Sequence, residues 1–467
     1  MLSMKGRGAA RLAAAVVASG LIAAGAIATA GTAVADENTP AQGGATATLG
    51  GLKTFDQAVV HGEGGEQRIG AGLFEMSVDN GGTLQTYCID IHNPTQQQAR
   101  YQEVPWSASS LHNNTDAGKI RWILQNSYPQ VNDLAALATK AGAGNLTEKT
   151  AAAGTQVAIW RFSDHVKVDA LDPAAEKLAD YLEKNAKSVA EPKASLKLDP
   201  SAVSGKSGSK LGPVTVHTNA DSATVSPAAG APAGVKVVGK DGKPVTSATD
   251  GTQLFFDVPK GAADGSTSLT VQAATKVPVG RAFTGIGQHA KSQTQILAGS
   301  SESTVSAAAT ASWKKQGAIP AITADKNCAK GGVDVTASNK GDEAFRFQLS
   351  GKDYEVAPGA SKTVTVPVAE DQAYEITIKG AGGFKKTFTG VLDCKTAGSG
   401  GAKPTPQPSS PAASVGGSTG GGHGTDLAET GASSSTPMIA GIAVGLVAVG
   451  GAAVFFLRKK KTGTQAQ

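Results

Sequence analysis

Between residues 333 and 378, apolar side chains recur at every second position. The runs are Val333 and Val335, then Phe345, Phe347 and Leu349, Tyr354 and Val356, Val364, Val366 and Val368, and Tyr374, Ile376 and Ile378. A strand sends successive side chains to opposite faces, so a chain written this way buries one face only by forming a β-sheet. Pro358-Gly359 and the glycine-rich stretch Gly380 to Gly383 turn the chain between runs. Residues 319–395 are therefore expected to form an all-β, Ig-like unit. Cys328 and Cys394 bracket it and are expected to form a disulfide. Closing so long a loop is worth about 4 kcal/mol in the chain-entropy model. A metal or redox role for this pair lacks partner residues in the sequence.

Residues 193–313 contain a second series of short β runs, among them Pro213 to Val216, Gln253 to Val258, Ser268 to Val271 and Thr294 to Leu297. Asp241-Gly242 and Asp250-Gly251 mark turns between them. That spacing predicts a β-sandwich of Ig-like type. Residues 45–190 read differently. Strand patterns over 54–60, 71–78 and 84–92 are followed by helical patterns over 115–124, 133–140, 150–162 and 172–188, which predicts an α+β unit.

The third cysteine, Cys88, lies in this first unit, in Leu84-Gln85-Thr86-Tyr87-Cys88-Ile89-Asp90-Ile91-His92. Alternation places Tyr87, Ile89 and Ile91 on one strand face and Cys88, Asp90 and His92 on the other. A triad of these last three residues fails on reach, because side chains at i and i+4 of a strand are about 13 Å apart. His112 or His165 could serve a cysteine hydrolase instead, but no feature selects either. No second His or Cys stands at ligand spacing from His92, so no metal site is read and no cofactor is called for. Further on comes Thr155-Gln156-Val157-Ala158-Ile159-Trp160, on a helical pattern with Ala153, Val157 and Trp160 on one face and Gln156 on another.

Tyr-Cys-Ile-Asp followed at a domain's distance by Thr-Gln-Val-Ala-Ile-Trp resembles the thioester domains of Gram-positive surface adhesins. The resemblance implies an internal thioester joining Cys88 Sγ to the side-chain carbonyl carbon of Gln156, with ammonia lost. A thiolate is a good nucleophile, and a thioester carbonyl stays electrophilic where the parent amide was not. An amine of a partner surface, such as a lysine, could then take the acyl group. Tyr87 and Trp160 adjoin the two motifs and are candidates for shielding the bond. Such a protein fires once and is not an enzyme. Residues 193–313, with Val279 to Phe283 and Gln295 to Ala298, resemble the unit that follows thioester domains in actinobacterial surface proteins.

The chain ends suggest where such a protein would work. A basic start, an apolar run and Ala33-Val34-Ala35 before Asp36 make residues 1–35 a signal peptide. Residues 396–425, rich in Gly, Ser, Pro and Ala, read as a flexible linker. Residues 426–461 carry Leu427-Ala428-Glu429-Thr430-Gly431, an apolar run over 438–457, and Arg458 to Lys461. This tail resembles a sortase sorting signal with Ala in place of the usual Pro. The resemblance implies cleavage after Thr430 and attachment of Thr430 to peptidoglycan. About 20 apolar residues can span a bilayer transiently.

The formal charge of +5 comes from those two ends. Lys5, Arg7, Arg11 and Arg458 to Lys461 contribute seven positive charges, so the rest of the chain sums to −2 and is slightly acidic. No nucleic-acid patch is read there. The reading is of a secreted, wall-anchored adhesin whose partners are peptidoglycan and an amine on a host or neighbouring-cell surface. The alternatives are a structural or cross-linking wall protein and a secreted cysteine hydrolase.

Overall fold

The computed structural model describes residues 43–394, apart from 63 and 371. The signal segment, the linker, the sortase motif Leu427 to Gly431 and the apolar run 438–457 lie outside the described residues. Among those described, no helix is long and apolar enough to cross a membrane.

The first part contains strands β1 (Thr46–Gly62), β2 (Gly65–Val78), β3 (Thr83–Cys88) and β4 (Arg100–Val104). Helices α1 (Ala117–Asn126), α2 (Leu134–Ala141) and α3 (Glu148–Ser163), strand β5 (Lys167–Ala170) and helix α4 (Pro173–Asn185) follow. Polar side chains start these helices. Asp133 accepts the Ala136 N–H, Thr147 and Thr150 cap each other reciprocally, and Asp172 accepts from Ala174 and Ala175 behind Pro173. The strand expected over 84–92 ends at Cys88, because the chain bends at Ile89 and turns at Ile91 and His92.

The second part contains β6 (Leu196–Asp199), β7 (Ala202–Lys206), β8 (Lys210–Thr218), β9 (Ala223–Pro227), β10 (Lys236–Val238) and β11 (Ser247–Ala248). It continues with β12 (Gln253–Asp257), β13 (Gly265–Lys276), β14 (Ala282–Gly285), β15 (Gln295–Ser300) and β16 (Glu302–Lys314). Nine of these strands form a four-stranded sheet, β10-β12-β8-β6, and a five-stranded sheet, β11-β9-β13-β16-β7.

The other two strands depart from the expected division of the chain. β13 and β16 pair along their whole length, from Gly265↔Trp313 to Lys276↔Glu302, and β14 and β15 sit in the loop between them. That loop enters the first sheet, whose order is β2-β3-β15-β14-β4-β1-β5. β15 pairs with β3 from Gln295↔Cys88 to Ser300↔Leu84, and β14 with β4 from Ala282↔Val104 to Gly285↔Tyr101. Residues 45–190 and 193–313 are therefore not two separately cored units. One core of buried side chains runs from Ala45 to Trp313. The expectation failed because strand pairing between distant segments leaves no mark on local periodicity.

A buried charge cluster fastens this insertion. Glu103 on β4 and Arg281 just before β14 are 2% and 4% exposed. Arg281 Nε donates to Glu103 Oε1 at 2.8 Å and its guanidinium also meets Glu191 at 2.9 Å. Glu103 further accepts the N–H groups of Ala45 and Ser195. Arg281→Ala strands a buried carboxylate and should cost about 3–5 kcal/mol in denaturant unfolding. Adding Glu103→Gln should recover part of that loss, as a coupled pair requires.

The third part is β17 (Pro320–Asn327), β18 (Gly332–Asn339), β19 (Phe345–Leu349), β20 (Lys352–Val356), β21 (Ser361–Pro367), β22 (Gln372–Gly380) and β23 (Lys385–Leu392). These strands form two sheets, β17-β18-β21 and β20-β19-β22-β23, around their own core of Val333, Val335, Phe345, Phe347 and Ile378. Cys328 and Cys394 are joined in a disulfide. Beside it, Asp393 Oδ2 accepts from Thr294 Oγ1 at 3.2 Å, so the end of this unit rests against the start of β15.

Candidate functional site

Cys88 closes β3 and Gln156 stands mid-way along α3, and both are fully buried. Helix α3 has no solvated face at this point, so Gln156 is buried along with Val157 and Trp160 rather than set apart from them. Its side-chain carboxamide bonds to the backbone of Cys88 at both ends. The Cys88 N–H donates to Gln156 Oε1 at 2.9 Å, and Gln156 Nε2 donates to the Cys88 carbonyl at 2.8 Å.

The sheet explains why that slot exists. Ile89 N–H donates to Thr294 O toward β15, so antiparallel alternation turns the N–H and C=O of Cys88 to the opposite side. There β2 would pair next, but β2–β3 pairing stops at Phe74↔Thr86. The carboxamide carries one donor and one acceptor, as a peptide group does, and it occupies the place of the missing strand. A buried backbone pair left open would cost free energy, so Gln156 is held there firmly.

The sulfur receives two donors. Asp90 N–H points to Cys88 Sγ at 3.3 Å, and Trp160 Nε1–H at 3.4 Å. Trp160 is four residues beyond Gln156, hence on the same side of α3. Of the two shielding candidates, Trp160 touches the sulfur. Tyr87 turns elsewhere: its hydroxyl donates to Tyr128 O at 2.8 Å, and it stands close to Thr155, the residue before Gln156. Burial pushes the Cys88 thiol well above its usual value, and the carboxyls of Asp164 and Asp90 push it further.

Cys88, Asp90 and His92 do not share a strand face, since the strand ends at the first of them. Among the hydrogen bonds of the described residues, no histidine reaches Cys88 Sγ. His112 Nδ1 faces Ser109 O, and among the described residues no group of at least three His, Cys, Asp or Glu side chains could hold a metal.

Three participants escaped the sequence reading. Asp164 caps α3 and accepts the Ile91 N–H at 3.0 Å. Gln293, 2% exposed, donates to the Asp90 carbonyl at 2.6 Å. Gln295, also buried, accepts from Thr86 Oγ1 at 3.0 Å. The available signal was the polar run Gln293-Thr294-Gln295 directly before the apolar Ile296-Leu297-Ala298, an unusual start for a strand of an ordinary surface loop.

Residues 85–188 match the family described as thioester domain, a span that includes both Cys88 and Gln156. Residues 320–391 match the family described as bacterial phospholipase C, C-terminal domain. No curated protein matches the chain. Among solved structures, the chain is similar to the Bacillus anthracis TIE protein, at 14% identity over 75% of this chain and 81% of that one, with a TM-score of 0.27. It is also similar to the thioester domain of the Enterococcus faecium TIE86 protein, at 17% identity over 58% and 97% with a TM-score of 0.26. The thioester domain of the Staphylococcus aureus TIE protein matches at 14% identity over 58% and 99%, with a TM-score of 0.22.

Proposed function

We propose that this protein binds a partner surface covalently, through a thioester between Cys88 and Gln156. The observation that carries this reading is the two-ended hydrogen bonding of the Gln156 carboxamide to the residue that bears the thiol. The Cys88 N–H lies 2.9 Å from the oxygen that becomes negative when sulfur adds to the carboxamide carbon. It therefore acts as a preset oxyanion donor. Addition forms the S–C bond, loss of ammonia breaks the C–N bond, and the product is a thioester sealed under Trp160.

An amine of the target, such as a lysine side chain, then attacks the thioester carbonyl. The acyl group passes to nitrogen, and Cys88 leaves as the thiol. A surface lysine is almost wholly protonated at neutral pH. Rate therefore depends on docking that holds one amine close, and the protein acts once. The tail, outside the described residues, supports attachment at the cell wall: sortase cleavage after Thr430 and transfer to peptidoglycan would leave the body displayed on its linker.

The test is the intact mass of residues 43–394. The wild type should be lighter than its sequence by one ammonia beyond the two hydrogens of the disulfide. Cys88→Ala and Gln156→Ala should show the disulfide loss alone, and methylamine should add to the wild type only. A wild-type chain with full mass and a titratable thiol would refute the thioester.

A further inference from the structure

Closing the thioester moves a proton from Sγ to the departing nitrogen. Trp160 Nε1–H and the backbone amides around the sulfur only donate, so none of them can accept it. Two carboxyl side chains can. Asp90 is fully buried and follows the thiol by two residues; its own N–H is on Sγ. Its Oδ2 accepts from Asn93 Nδ2 at 2.5 Å, the backbone N–H groups of His92 and Asn93 also point toward the carboxyl, and Oδ1, equally buried, has no side-chain partner among the described residues. Asp164 is partly buried at the end of α3, two turns beyond Gln156. Its Oδ1 accepts the N–H of Ile91, the residue after Asp90, and its Oδ2 accepts from Ser163 Oγ at 2.6 Å.

None of the ion pairs between described residues involves either carboxyl. The titratable groups around them are the Cys88 thiol on β3, His92 in the following turn, Tyr101 on β4 and Asp393 across β15. His92 is held below its usual value by burial and Tyr101 above it, so both are neutral near pH 7. Two close carboxyls without a cation cannot both ionise cheaply in such a place.

We propose that Asp90 and Asp164 form the proton relay for thioester closure, taking the hydrogen of the Cys88 thiol and delivering it to the Gln156 nitrogen. The ionised carboxyl accepts the S–H proton as sulfur adds to the carboxamide carbon. The carboxylic acid so formed protonates the nitrogen as the C–N bond breaks, ammonia leaves, and the pair returns to its starting state. Nothing is oxidised or reduced, and no further reactant is consumed. The inference rests on the thioester reading and adds the groups that make closure fast.

Burial and repulsion from Asp164 raise Asp90 to about 7, and burial raises Asp164 to about 6. The thiol lies well above both, so closure depends on an ionised carboxyl rather than on preformed thiolate. The rate should climb as pH rises through about 6 to 7 and then level off.

Ammonia opens the closed 43–394 chain back to Cys88 and Gln156 as encoded, and re-closure after its removal can be followed by intact mass. Asp90→Asn and Asp164→Asn should each slow re-closure by about 10²-fold or more. The double variant should be scarcely worse than either single one, as expected of groups acting as a unit. A single variant that re-closes at the wild-type rate, or a wild-type rate independent of pH, overturns the relay. The pH profile needs no substitution and decides the matter even where a variant fails to fold. A wild type that never loses ammonia removes the thioester and the relay together, whereas a closed wild type with unaffected variants removes the relay alone.

Discussion

A chain ended at residue 195 should fail to form the first sheet. Removing everything beyond it deletes β14 and β15, which stand third and fourth in β2-β3-β15-β14-β4-β1-β5. β3 would lose its pairing from Leu84 to Cys88, and β4 its pairing from Tyr101 to Val104. Two inner strands would become unpaired edges, which invite aggregation. Glu103 would lose Arg281 and keep its burial cost. The fragment should show no cooperative thermal transition and should keep its ammonia, while residues 43–314, which retain every strand of the first sheet, should melt cooperatively. A fragment 43–195 with a sharp transition would show that the insertion is ornamental.

Trp160→Ala should have the second largest effect. The side chain is 1% exposed and among the largest buried in the molecule. Its removal should cost about 3–5 kcal/mol in urea unfolding. It should also admit water to Cys88 Sγ, so that the purified protein progressively gains one water in mass as the proposed thioester hydrolyses. Trp160→Phe keeps most of the apolar volume but lacks the indole N–H that points to the sulfur. It should lose less stability than Trp160→Ala and still hydrolyse faster than wild type. An alanine variant with wild-type stability would deny Trp160 its place in the core.

Local pattern was a good guide wherever one face of an element decides its conformation. The alternation from Val333 to Ile378 became the strands of the third part, with Val333, Val335, Phe345 and Phe347 buried. Asp133 and Asp172 start α2 and α4 as their positions implied. The nonamer around Cys88 departs from its local pattern. Its alternation predicts one strand over 84–92 with Cys88, Asp90 and His92 on one face, whereas the strand stops at the cysteine and α3 covers it, leaving Tyr87, Cys88, Ile89 and Asp90 all without exposure. A turn after Cys88 has no glycine or proline to announce it before Pro94.

What the sequence determined by itself was the choice of Cys88 and Gln156 as candidates, their separation into a strand and a helix, and the β character of residues 193–394. These follow from properties of neighbours in the chain: periodicity, caps and turns. Tertiary structure alone decided that β14 and β15 complete the first sheet and that a glutamine side chain fills the gap left where β2 stops pairing. It also decided that Asp164 and Gln293 close around the turn that follows Cys88. Those contacts join segments separated by long stretches of chain, and the forces that select them, burial and the need to pair every buried N–H and C=O, act only once the chain is compact.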